Sequence, residues 1–247
     1  MLMKQLGILE LIKATVFNVI LFATTPAWSN ERCCELIFEN QSTINNNICV
    51  YQNSPKSSSA DVITLAWFCQ AFPQHVQGGT SRVVFNWTED YEFIMSESGK
   101  IGSAISFNVS QILPLNLNTL NTVTLARNDT GNYTFTNQRQ GIQANILSIE
   151  QDQSIIPSEV FVGISMAGSS IALVKALPNL KTTFELNGNP IYWIVVGNYK
   201  TGQVLNLAQI DNPQKIEFQG NINSMTALLR NNNTWCIEKT GQNHCDR

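Results

Sequence analysis

Histidine and charged residues are scarce in this sequence. The 247 residues include two histidines, His75 and His244, and only 13% of the chain is charged, about half the usual share. A histidine-based catalytic triad would need one of those two side chains. Lysine and arginine are too few and too scattered for the phosphate-tracking groove of a nucleic-acid-binding protein, so we expect no nucleic-acid partner.

Motifs for cofactors and metals are also missing. No CxxC or Cys/His cluster stands at metal-ligand spacing, and Gly78-Gly79-Thr80 is not followed by the lysine of a phosphate-binding loop. The segment 163–167, GISMA, comes closest to a nucleophile elbow, but it lies in a strand pattern rather than at a strand-to-helix turn. The sequence therefore predicts no cofactor and no metal, and it offers no catalytic residues of these classes.

Residues 1–29 have the pattern of a secretory signal peptide. Lys4 and Lys13 accompany a mostly apolar run of twelve residues, 14–25, and Pro26-Ala27-Trp28-Ser29 places small residues before a cut after Ser29. A membrane anchor is the alternative reading, but a spanning helix needs about 20 apolar residues. We therefore expect export, with the protein either periplasmic or secreted.

The remaining residues, 30–247, suit a single all-β domain in length. Loss of Lys4, Lys13 and Glu10 leaves 13 basic and 17 acidic residues, a net charge of −4. Such a chain has no long-range attraction for nucleic acid or anionic lipid. Because 43% of the sequence is hydrophobic, a disordered chain is not expected either.

The six cysteines cluster at the two ends of the mature part. An even number in an exported chain predicts disulfides, and six cysteines allow fifteen connectivities. We expect them to staple the terminal strands, with the pairing left open, and the candidates are Cys33, Cys34, Cys49, Cys69, Cys236 and Cys245.

Apolar residues recur with a period of two along the mature chain, and helical periodicity is almost absent. Short alternating runs are separated by turns rich in Gly and Asn, such as 128–132 and 187–190. This pattern predicts an all-β fold, a single antiparallel β-sandwich or flattened barrel of many short strands. The run 160–177 is apolar on both faces around Gly168, which predicts a central hairpin.

The segment 82–101, RVVFNWTEDYEFIMSESGKI, concentrates aromatic and acidic residues. One continuous strand would place Glu89 on the apolar face between two aromatic residues, and burial of an unpaired carboxylate is costly. A turn at 88–90 removes that conflict, so the segment is predicted to be a β-hairpin with solvated acids. The alternative is a glycoside hydrolase in which Glu89 pairs with Glu92 or Glu97.

Several ordered motifs resemble those of the rhiA family, named for expression in rhizosphere bacteria. The resemblance extends from about Asn40 to Trp235, over most of the mature chain. It implies a protein of bacteria that interact with hosts, and it carries no established enzymatic activity or catalytic residues. The motifs are ICVYQ at 48–52, LAWF at 65–68, VFNWTEDYEFIMSESG at 84–99, VGISMAG at 162–168, PNLKTTFELNGNPIYWIVVGNY at 178–199, GQVLN at 202–206 and NNTW at 232–235.

Aromatic residues are the remaining candidates for ligand binding. Exposed rings beside neutral amides can stack on sugars, although large rings are more often part of a core. Tyr192 and Trp193 point to opposite faces of one predicted strand, and Trp235 follows an Asn-rich turn. We therefore take Tyr192, Trp193 and Trp235 as candidate ligand-binding residues.

The leading functional hypothesis is a non-catalytic, exported binding or host-interaction protein of the rhiA type that recognises a host-surface glycan or protein. A membrane-active, pore-forming β-protein is the second hypothesis, in which the 158–177 hairpin or the Tyr192-Trp193 tip would meet lipid. The composition does not demand membrane contact. A glycoside hydrolase that uses an acidic pair is the third hypothesis.

Overall fold

The computed structural model describes residues 33–74, 81–97, 107–186, 188 and 190–242. These residues fall in one compact unit, Glu31–Arg247. The expected signal peptide at 1–29 lies outside the described residues, as do His75, His244 and Cys245.

The alternating apolar runs form short strands, as the period of two predicts. A short 3-10 helix, Leu207–Gln209, is the one helical element in the described part of the chain. The strands are β1 (Cys33–Asn40), β2 (Asn46–Gln52), β3 (Lys56–Ser57), β4 (Ile63–Thr64), β5 (Phe68–Phe72), β6 (Ser81–Thr88), β7 (Tyr91–Ser96), β8 (Gln111–Pro114), β9 (Thr122–Arg127), β10 (Tyr133–Arg139), β11 (Ile146–Gln151), β12 (Phe161–Met166), β13 (Ser169–Lys175), β14 (Lys181–Glu185), β15 (Ile191–Gly197), β16 (Gln214–Glu217), β17 (Ser224–Leu229) and β18 (Trp235–Lys239).

The strands assemble into four open sheets. Sheet I has the order β18-β17-β1-β6, sheet II β16-β15-β2-β5, sheet III β4-β13-β12-β7-β8 and sheet IV β10-β9-β11-β14-β3. Most pairings are antiparallel, as expected, but β1 pairs with β17 and β9 pairs with β11 in parallel. The all-β class is confirmed, and the strand order joins the two ends of the chain in sheet I.

One continuous core collects the inward faces of all four sheets. Sheets I and II meet through aromatic contacts such as Trp87 with Tyr192, whose ring centroids lie 5.0 Å apart. Sheets III and IV meet through Phe93 and Phe135, at 6.3 Å. Smaller apolar clusters cover the outer faces of sheets II and III, so the central strands are buried on both sides.

The segment 82–101 breaks where the sequence predicts, but it is not a hairpin. β6 ends at Thr88 and β7 begins at Tyr91. β6 pairs with β1 in sheet I, whereas β7 pairs with β12 and β8 in sheet III. The break at 89–90 therefore carries the chain from one sheet to another, because each half packs its apolar face into a different wall of the core.

The predicted hairpin around Gly168 is confirmed. β12 and β13 pair in the middle of sheet III, and all six residues of β12 are buried. Gly163 must be glycine, because an added Cβ would stand 1.9 Å from the Ala172 carbonyl oxygen across the hairpin. The hairpin proposed to meet lipid is thus an internal element in this conformation. No helix in the described part of the chain has the length and apolar character needed to cross a membrane.

Cys49 and Cys69 form a disulfide between β2 and the edge strand β5. They lie directly opposite each other in the antiparallel register, with Cα atoms 4.1 Å apart, which is close enough for the bond. Cys236 is also disulfide-bonded. The expectation for Cys33 and Cys34 is not met, since both are thiols. As neighbours on β1, they point to opposite faces of sheet I.

Loss of the Cys49–Cys69 disulfide should destabilise the protein. The bond closes a loop across a separation of 20 residues, for which chain entropy predicts about 3 kcal/mol. The double variant Cys49→Ala/Cys69→Ala should therefore unfold at lower urea concentration. The matched control is Cys33→Ser, an exposed thiol, which should leave the midpoint unchanged. Equal midpoints for both variants and the wild type would contradict the prediction.

Sheet IV carries an ion-pair network whose contribution to stability should depend on pH. Arg139 donates to Glu150, Lys181 lies 3.6 Å from the same carboxylate, and mainly Arg139 holds the pKa of Glu150 below its usual value. A depressed folded pKa adds stability above the unfolded pKa, about 4.3, and this stability is lost as the pH falls through the folded pKa.

We expect Glu150→Gln to lower the melting temperature at pH 7 and to have a shrinking effect as the pH is taken below about 4. The exposed Glu97→Gln is the control. A difference from wild type that stays constant from pH 7 to pH 3 would refute the role of the network.

Candidate functional site

A cleft of about 610 Å³ opens at the end of sheet I. Here β1 begins, β6 ends and β17 begins, and the turn between β12 and β13 closes one side through Ala167. The volume lies within the range of small-molecule sites. The lining residues are Cys33, Cys34, Glu35, Asn86, Trp87, Thr88, Ala167, Asn223 and Ser224.

Strand register brings these lining residues together. Glu35 on β1 stands between Asn86 on β6 and Ser224 on β17. The next row pairs Cys34 with Trp87, and both side chains are almost fully buried. The described lining thus combines one row that bears amide, hydroxyl and carboxylate groups, the rim, with the nearly buried Cys34 and Trp87 of the next row, which we call the floor.

Hydrogen bonds hold the Glu35 carboxylate in place at the rim. Ser224 Oγ donates to Glu35 Oε1 at 2.6 Å, and the Ser224 hydroxyl is 2.7 Å from that of Thr240. The backbone N–H of Glu35 also donates to the Asn223 carbonyl oxygen at 2.7 Å. The carboxylate is therefore positioned by β17, a strand that comes late in the sequence.

Beneath the floor, a chain of hydrogen bonds links sheets I and II. Trp87 Nε1 donates to the Tyr192 hydroxyl at 3.2 Å, and that hydroxyl donates to Glu89 Oε1 at 3.1 Å. The Cys34 thiol lies 3.9 Å from the same carboxylate oxygen. Glu89 is thus turned inward as a hydrogen-bond acceptor and is not the solvated turn residue that the sequence predicts.

Burial raises the pKa of Tyr192 strongly, and the Glu89 carboxylate raises it further. The same two causes raise the pKa of Tyr91. Both phenols therefore keep their protons at any physiological pH. Tyr192 acts as a fixed donor towards Glu89, which suits a structural support beneath the cleft.

The three predicted aromatic ligand residues do not come together. Tyr192 is fully buried in the aromatic core, so it offers no face to a ligand. Trp193 is half-buried on the outer face of sheet II and stacks on Tyr51 at 6.5 Å. Trp235 is half-buried on sheet I and stacks on Phe72 at 6.4 Å. Only Trp193 and Trp235 keep exposed area, and they lie in different sheets.

The proposed acidic pair is not assembled either. Glu92 lies on β7 and accepts a hydrogen bond from Ser165 at 2.7 Å. Strand alternation places Glu92 on the face of sheet III opposite to Tyr91 and Phe93, whereas Glu89 points to the core side, towards Tyr192. A glycosidase needs two carboxylates on either side of one bond, and a sheet separates these two. The exposed Glu97 lies at the far end of β7.

The described residues contain no group of three or more His, Cys, Asp or Glu side chains that could hold a metal ion.

The sequence does not predict the cleft itself. The one local signal is the Cys33-Cys34 pair, which by sequence alone indicates disulfides. Asn86, Asn223 and Ser224 carry no motif, because their role depends on strands that pair over almost the whole chain.

The fold and the site together define an all-β protein of four open sheets with a ligand-sized cleft at one sheet end. The family model described as RhiA matches residues 32–240. Protein RhiA of Rhizobium leguminosarum bv. viciae is 30% identical over 203 residues, which cover 82% of this chain and 84% of that protein. The chain therefore belongs to the RhiA family. No solved structure matches it.

Removal of the Tyr192 hydroxyl should weaken the junction of sheets I and II. Tyr192→Phe leaves the buried Trp87 N–H without its acceptor and takes a donor from Glu89. An unsatisfied buried group costs about 1–3 kcal/mol, so urea unfolding should show a loss of that size. Tyr199→Phe, at a half-buried tyrosine on the outer side of sheet II, is the matched control. The same loss in both variants would show that the hydrogen-bond chain is not its cause.

Proposed function

We propose that this RhiA-family protein is an exported, non-catalytic binding protein whose cleft at the end of sheet I takes a hydroxyl-rich ligand, a glycan of a host surface. The observation that carries the proposal is the composition of the cleft. Two amides, two hydroxyls and one carboxylate line the cleft together with Trp87 and Cys34.

The chemistry of this lining favours a sugar. Asn86 and Asn223 each present an amide that both donates and accepts hydrogen bonds, and Thr88 and Ser224 add hydroxyls with the same dual character. Sugar hydroxyls also donate and accept, so such groups can pair with them in several arrangements. The volume suits one or two sugar units.

Two further observations support an exported binding protein. Disulfides persist in oxidising compartments outside the cytosol, and Cys49–Cys69 is such a bond. Glu89, behind the cleft floor, is engaged as a hydrogen-bond acceptor by Tyr192, and the pairs with Glu92 and Glu97 that a glycosidase would need are not assembled. The site is therefore better suited to hold a ligand than to hydrolyse it.

A broad glycan array probed with the purified protein, disulfides intact, tests the proposal. We expect saturable binding that Asn86→Ala and Asn223→Ala reduce by about tenfold each, because each removes a bidentate amide from the cleft. The matched control is Asn118→Ala, an exposed asparagine outside the cleft, which should bind as the wild type does.

The exposed Cys33 thiol at the rim gives an independent readout. A ligand in the cleft should slow alkylation of Cys33, which lines the cleft. Binding that is lost on Trp193→Ala or Trp235→Ala but kept in the asparagine variants would move the site to an outer sheet face. The absence of binding to any glycan would overturn the proposal and turn the search to host proteins.

A further inference from the structure

The charge distribution in the cleft carries an inference about the ligand that rests on the proposed function. Glu35 carries the one carboxylate among the described residues that line the cleft, and those described residues include no lysine, arginine or histidine. Glu89 lies just behind the floor, beside Cys34. A ligand in the cleft therefore faces the Glu35 carboxylate and no cation from the described residues that line it.

We propose that the cleft selects saccharides that carry a primary ammonium group, the amino sugars, over neutral and acidic saccharides. Glu35 is the residue that would make this choice. Its Oε1 is held by Ser224, which leaves Oε2 as the oxygen that an ammonium group would reach. A charge-assisted hydrogen bond to a fixed carboxylate is stronger than a neutral one.

The position of Glu35 adds to this selectivity. It lies on the central pairing of sheet I, between Asn86 and Ser224, so a sugar whose ammonium group meets Glu35 places its neighbouring hydroxyls beside an amide and a hydroxyl. The hydrogen bonds from Ser224 and on to Thr240 restrict the carboxylate. Less side-chain freedom is then lost on binding than with a mobile glutamate.

The neighbouring basic residue on sheet I does not neutralise this site. Lys239 on β18 stands opposite Met225, and strand alternation puts it on the other face of the sheet from Ser224 and Thr240. Acidic saccharides would meet repulsion from Glu35 without compensation from a cation among the described lining residues. The expected order of affinity is therefore amino sugar, then neutral sugar, then acidic sugar.

Calorimetric titration of the purified full chain with three oligosaccharides of equal length tests this order. The probes are a glucosamine oligomer, its fully N-acetylated form and a galacturonate oligomer. We expect the glucosamine oligomer to bind about tenfold more tightly than the N-acetylated one and the galacturonate oligomer to bind most weakly. Added salt should reduce the preference, because the rim is open to solvent.

Glu35→Gln is the decisive variant, since it keeps the shape and removes the charge. It should abolish the preference for the ammonium-bearing oligomer, so that the glucosamine oligomer and its N-acetylated form bind this variant with similar affinity. Glu39→Gln is the matched control, because Glu39 lies on the same face of the same strand, about 13 Å further along, and does not line the cleft. It should keep the preference intact.

The outcomes separate this inference from the proposed function. If neutral oligomers bind in the cleft but the glucosamine oligomer gains nothing, or if Glu35→Gln leaves its advantage intact, the amino-sugar selectivity is refuted and the binding function stands. If no oligosaccharide binds at all, both are overturned. Circular dichroism of each variant confirms that the fold is kept.

Discussion

The hydrogen-bond chain from Trp87 through Tyr192 to Glu89 is the constraint around which the structure is arranged. It joins β6 of sheet I to β15 of sheet II and ties both to the turn that leads into sheet III. Stacked and edge-on rings of Trp67 and Phe218 pack against Tyr192, so the hydrogen bond between Trp87 and Tyr192 is shielded from water. A buried network of this kind is stable only when every member is paired, which fixes how the three sheets meet.

The cleft inherits its shape from that junction. Trp87 cannot tilt without breaking its bond to Tyr192, so the floor of the cleft is rigid, while the rim is set by the register of three strands. Preorganised sites lose little freedom on binding. Membership of the RhiA family extends over nearly the whole of sheets I to IV. The match therefore includes the residues that build both the junction and the cleft.

Local patterns in the sequence predict the strands well and their partners poorly. The alternation of Val83, Phe85 and Trp87 predicts β6, and the cost of burying Glu89 in a continuous strand predicts the break after Thr88. The destination of Glu89 could not be predicted, because Tyr192 stands 103 residues away. Strand alternation also places Tyr192 and Trp193 on opposite faces of β15, but it does not tell which of the two faces packs into the core. β3 has only two residues, Lys56 and Ser57, which are too few to show alternation.

The parallel pairing of β1 with β17 has a consequence for the order of folding. Contacts across it, such as that between Glu35 and Ser224, span 189 residues, and such distant pairings form slowly because the intervening chain must first be brought together. During synthesis the first strand has no partner on that side until nearly the whole polypeptide has emerged. Sheet I, and the rim that it carries, is thus completed only after β17 has been synthesised.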